Sequence, residues 1–114
     1  MSKLKKSKIE IEVLTNENNL PEQIIWSAAE GGIDKESAEA MILSFWDKKA
    51  NTAMRIDLWN KEFTVDDMKK FMHQTLITMA DSFEKATGEK NMAEDLRDYC
   101  QHFAEKMGIL PPLS

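Results

Sequence analysis

Residues 41–60 read MILSFWDKKANTAMRIDLWN, two runs of alternating lettering on either side of a polar turn. Alternation places Met41, Leu43 and Phe45 on one face of the first strand, and Met54, Ile56 and Leu58 on one face of the second. The opposite face carries Ile42, Ser44 and Trp46 beside Arg55, Asp57 and Trp59. Two tryptophans among a hydroxyl and two charges fit neither a dry core nor a solvated surface. Such a face either completes its burial against another body or supports a polar site.

Upstream, Ile9, Ile11 and Val13 alternate with Lys8, Glu10 and Glu12, which predicts a half-buried strand with a charged outer face. The segment 15–19, with Asn16, Asn18 and Asn19, predicts a turn, and Pro21 opens a second strand over about 22–28 that pairs with the first as a hairpin. Gly31-Gly32 breaks the pattern. Asp34 is an acceptable N-cap for a short helix over 35–40.

Beyond residue 60 the apolar period lengthens to that of a helix. Thr64 with Asp67 predicts a capping box, and Asp66 and Asp67 suit the positive start of a helix. Val65, Met68, Met72, Met79 and Phe83, joined by Phe71, Leu76 and Ile77, form its stripe, and Gly88 ends it. Asn91 and Glu94 make a second cap signature. Met92, Leu96, Tyr99, Cys100, Phe103 and Met107 form the next stripe, closed by Gly108 and Pro111-Pro112.

The expected fold is therefore α+β: an antiparallel β-sheet of about four strands, a short connecting helix, and two C-terminal helices packed on one face. The other face is left open, and Ser44, Trp46, Arg55, Asp57 and Trp59 belong to it. Trp26 joins them or points into the core, depending on register. At 114 residues one domain is expected over 1–114, with a fraying basic start over 1–7 and a tail over 109–114.

Composition narrows the function. A 42% hydrophobic and 31% charged chain is ordinary for a soluble protein, and no apolar run approaches the ~20 residues that span a bilayer. The basic start lacks the apolar region of a signal peptide, since Glu10 and Glu12 interrupt it. Cys100 is the single cysteine, which excludes an intrachain disulfide and fits a reducing compartment, with the cytoplasm as the expectation. The net charge is −5, and Lys3, Lys5, Lys6 and Lys8 leave only 11 basic against 20 acidic residues after residue 8. An acidic body repels phosphate backbones, so nucleic acid is a poor partner. The four lysines are read as a solvated terminus.

Catalytic and metal chemistry find little support. His73 and His102 are the only histidines, and Cys100 and His102, two apart on a helix, point in nearly opposite directions. Gly31-Gly32 is flanked by Glu30 and Asp34 and lacks a phosphate-binding motif. Asp57, two residues from Arg55, is most simply its ion-pair partner, and the methionines fall at core positions. No catalytic residue, cofactor or metal is expected.

The runs 25–32 (IWSAAEGG), 40–47 (AMILSFWD), 55–59 (RIDLW) and 71–76 (FMHQTL) resemble the gliding motility protein GldC family of Bacteroidetes, and the likeness covers about residues 8–107. The resemblance implies an accessory role in gliding motility, a surface movement driven by envelope-spanning machinery linked to secretion. It transfers no catalytic residue. The expectation is a non-enzymatic interaction protein using the open face around Ser44, Trp46, Arg55, Asp57 and Trp59, with partners in the gliding or secretion machinery or in a homodimer. The alternative is a small-ligand-binding domain or enzyme with a pocket between sheet and helices, lined by methionines and His73.

Overall fold

The structure, a computed structural model, describes residues 3–109. The chain forms two compact units, Met1–Phe63 and Thr64–Ser114.

The first unit is all β. Strand β1 (Ile9–Thr15) pairs antiparallel with β2 (Pro21–Ala28), and β2 with β3 (Ile33–Ala38), in a three-stranded sheet ordered β1-β2-β3. Asn16 builds the β1–β2 turn, its Oδ1 accepting from the backbone N–H of Asn18 at 2.8 Å and of Leu20 at 3.1 Å. Ile9, Ile11 and Val13 stand opposite Ala28, Trp26 and Ile24, and residues directly opposite share a face. Ile24, opposite Val13 and Ala38 and only 1% exposed, marks the core of that face. Trp26 is half-buried on the same side. Register therefore places it with the apolar face of this sheet.

Strands β4 (Ala40–Asp47) and β5 (Thr52–Trp59) form a separate two-stranded antiparallel hairpin. Only Glu39 lies between β3 and β4, so the chain passes from one sheet to the other at that residue. Asn60, 9% exposed, fastens the corner. Its N–H donates to the Glu39 carbonyl at 3.0 Å, its Nδ2 to the Glu22 carbonyl at 3.3 Å, and its Oδ1 accepts from the Glu62 N–H at 3.1 Å. A buried amide so engaged fixes the end of β5 against the start of β2.

The α+β class holds, with five strands in two antiparallel sheets among the described residues where about four in one were expected. Of the helix expected over 35–40, residues 35–38 are instead in strand β3 and Ala40 opens β4, and the helical turn nearby is a 3-10 turn at Ala29–Gly31. A six-residue helix gains too few bonds to offset its nucleation cost, whereas a ladder with β2 is immediately available. That ladder is irregular: the register shifts between Trp26 and Ala28, Lys35 takes φ 49°, and its N–H donates to Ser27 Oγ at 2.9 Å.

The second unit is a helical hairpin. Helix α1 (Val65–Thr87) begins with the expected capping box: Thr64 Oγ1 accepts from the Asp67 N–H at 3.0 Å, and Asp67 Oδ2 accepts from the Thr64 N–H at 3.4 Å. Gly88 ends it at φ 74°, donating its N–H to the Glu84 carbonyl. Helix α2 (Lys90–Met107) starts before the expected cap, so Asn91 lies inside it, and Gly108 closes it.

The seam between the helices differs from the expected stripe. Ala93, Cys100 and Ala104 are the buried residues of α2, and His73 and Ala80 those of α1. Small side chains at heptad-like spacing let two backbones approach, whereas Met92, Leu96, Tyr99 and Met107 stay exposed, as do Val65 and Met79 on α1. The methionine-core expectation fails at Met54, Met79, Met92 and Met107, all exposed. His73 stacks on Phe103, ring centroids 6.1 Å apart with a 20° interplanar angle. Arg97, at the rim of the seam, pairs with Asp81, Glu84 and Glu94 at 2.8, 2.8 and 2.6 Å. These three carboxylates hold the guanidinium pKa above its ordinary value, Asp81 contributing most.

The tail expected from residue 109 onward lies, beyond Ile109, outside the described residues.

Candidate functional site

The β4–β5 register sets Ala40 opposite Trp59, Ile42 opposite Asp57, Ser44 opposite Arg55 and Trp46 opposite Ala53. All five candidate residues, Ser44, Trp46, Arg55, Asp57 and Trp59, thus share one face of the hairpin, as alternation predicts. Trp46 is 64% and Trp59 51% exposed. Arg55 Nη2 donates to Asp57 Oδ2 at 2.8 Å, and both side chains are open to solvent. An exposed pair of this kind is worth under ~1 kcal/mol to stability. The face presents two large exposed amphipathic rings and one exposed ion pair.

At the base of the hairpin, Trp59 also walls an open cleft of about 220 Å³ with Leu20, Pro21, Glu22 and Asn60. Sequence reading missed this cleft because it depends on the Asn60 corner, which joins residues far apart in the chain.

The opposite face departs from expectation. Met41, Leu43 and Leu58 are half-buried, but Phe45, Met54 and Ile56 are exposed. A two-stranded ribbon has no third strand to carry its core further, so the half of the hairpin nearest the turn is left uncovered.

His73 and Cys100 sit in the helical hairpin, away in sequence from this face, and His102 leans on Tyr99 with ring centroids 5.9 Å apart. Burial pushes the Cys100 thiol pKa up, the reverse of what a reactive cysteine needs. Among the described residues no cluster of three or more His, Cys, Asp or Glu is arranged to hold a metal ion, and no helix is long and apolar enough to cross a membrane.

The family model described as gliding motility-associated protein GldC-like matches residues 21–109. The chain belongs to this GldC-like family. The match runs from the first residue of β2 to just beyond α2, so it takes in the β4–β5 hairpin and both helices and leaves β1 outside. All four sequence runs that carried the resemblance fall within it. No curated protein and no solved structure matches the chain significantly.

Proposed function

We propose that this GldC-like chain is a non-enzymatic accessory protein of bacterial gliding motility that acts by binding protein, through the β4–β5 face of Ser44, Trp46, Arg55, Asp57 and Trp59. The observation that carries the reading is the exposure of Trp46 and Trp59 on one face around the Arg55–Asp57 pair. Tryptophan and arginine are enriched at binding hot spots: tryptophan buries a large surface with two torsions fixed, and arginine presents a planar fork of donors. The partner is a component of the motility or secretion machinery met on the cytoplasmic side, or a second copy of the chain. A homodimer formed this way would be isologous, each Trp59 meeting the partner's face.

A small-ligand reading would here use a different place from the expected sheet–helix pocket, the cleft beside Trp59, which holds neither methionine nor His73 and whose lining is mostly apolar. It is the weaker reading.

The test is capture of tagged chain from a gliding bacterium, in parallel with Trp59→Ala and Arg55→Glu variants, together with the mass of the purified chain in solution. A motility component, or a dimer, that is present with the parent and lost with both variants supports the reading. Identical capture by parent and variants contradicts it.

A further inference from the structure

In the half of the β4–β5 hairpin nearest its turn, large apolar side chains are exposed on both sides of the ribbon, whereas toward the Trp59 end Met41, Ile42, Leu43 and Leu58 are half-buried. Phe45 and Met54 are paired on one face, 60% and 56% exposed, while Trp46 stands exposed on the other, opposite Ala53. Beyond them the turn carries Lys48, Lys49 and Ala50, all exposed. That turn is built firmly. Asp47 Oδ1 accepts from the N–H of Lys49 at 3.0 Å and of Ala50 at 3.2 Å, Thr52 Oγ1 donates to the Ala50 carbonyl at 3.1 Å, and Asn51 takes φ 56°. The one carboxylate of the tip is therefore turned to its own backbone, and the lysines supply its outward charge. From residue 45 to residue 54 the chain has two basic residues and one acidic, against a net charge of −5 for the whole.

A flat protein surface docked on one face of a two-stranded ribbon leaves the other wet. A bilayer interface surrounds the ribbon and dehydrates both faces together. Tryptophan and phenylalanine settle at headgroup depth, and lysines extend their stems to reach anionic phosphates. We propose that the hairpin tip lies in the headgroup layer of an anionic phospholipid bilayer, with Phe45, Trp46 and Met54 as apolar wedges and Lys48 and Lys49 paired to lipid phosphates. Charge complementarity selects this occupant: the exposed Lys48 and Lys49 match anionic phosphates, and a neutral surface gives them nothing to bind. The inference goes beyond protein binding: it gives Trp46 to the lipid and leaves Arg55, Asp57 and Trp59 as the part of the face available to protein.

The test uses the full chain with large unilamellar vesicles, either phosphatidylcholine alone or with one-third phosphatidylglycerol. The chain should sediment with the anionic vesicles only. Lys48→Glu with Lys49→Glu should weaken binding by ~25-fold or more, about fivefold for each lysine. Both lysines are exposed, so this variant keeps its fold, which circular dichroism verifies. Brominated lipid should quench tryptophan emission in the parent, and Trp46→Phe should remove most of that quenching while still binding. Trp59→Ala and Arg55→Glu should bind vesicles as the parent does, which separates this outcome from loss of the protein-binding face. Failure to sediment with anionic vesicles overturns the proposal. So does undiminished binding by the double glutamate variant, which would assign the attraction to Lys3, Lys5, Lys6 and Lys8. A dimer that shields Phe45 and Trp46 and ignores vesicles would replace lipid with a second copy.

Discussion

Replacing Trp46 by alanine separates a surface tryptophan from a core one. A tryptophan offers ~250 Å² of surface, and Trp46 keeps 64% of it exposed, so roughly 90 Å² is buried in the folded chain. At about 25 cal/mol per Å² that burial is worth at most ~2 kcal/mol, and alanine retains part of it. Trp46→Ala should therefore destabilise by about 1–2 kcal/mol. Ile24→Ala is the internal comparison: Ile24 is 1% exposed, and truncating a fully buried isoleucine costs about 2–5 kcal/mol through lost transfer energy and the cavity left behind. Urea unfolding of both variants, followed by tryptophan emission and by helical circular dichroism, gives the two values side by side. If Trp46→Ala proves as damaging as Ile24→Ala, the exposed-face reasoning is wrong, and with it the argument that this ring is kept for binding.

Other consequences lie in the helical hairpin. Thr64→Ala removes one half of the capping box and should cost about 1 kcal/mol, read as a lower thermal midpoint in the helical signal, with Thr64→Ser restoring most of it. Arg97→Gln leaves Asp81, Glu84 and Glu94 facing one another without their cation, so the variant should be less stable than the parent at low salt. The gap should narrow near 1 M salt, where screening acts over about 3 Å. Cys100 should resist alkylation in the native chain and react on unfolding. Because its folded pKa is raised, its protonated form stabilises the fold at neutral pH, and that contribution is lost as the pH climbs through the raised value in the alkaline range. Labelling against pH checks the sign.

The β4–β5 hairpin was legible because strict alternation leaves one register that pairs its polar turn, and the structure keeps that register from Ala40–Trp59 to Asp47–Thr52. The Thr64–Asp67 cap and the glycine stops were legible for a similar reason, since each is a local hydrogen-bond or dihedral requirement. Strand β3 was hidden because Asp34 to Ala38 carries helix-forming letters, and its pairing with β2 is a property of the sheet rather than of the segment. The α2 seam was hidden behind its large residues: periodicity marks Met92 and Tyr99, yet close helix packing selects Ala93, Cys100 and Ala104. Asn60 carries no signal at all until its three partners are brought together. Of the candidate site, the shared face was readable from alternation. The exposure of Phe45 and Met54 on the other side was not, because it depends on how many strands the sheet contains.

The most direct test of the account is gliding itself, measured in cells whose own copy of the gene encodes Arg55→Glu with Trp59→Ala, at matched protein level and with the fold verified in the purified variant. The account predicts that a stable, folded variant fails to support normal gliding. Normal gliding by that variant would contradict it, and the β4–β5 face would have to be given up as the working surface.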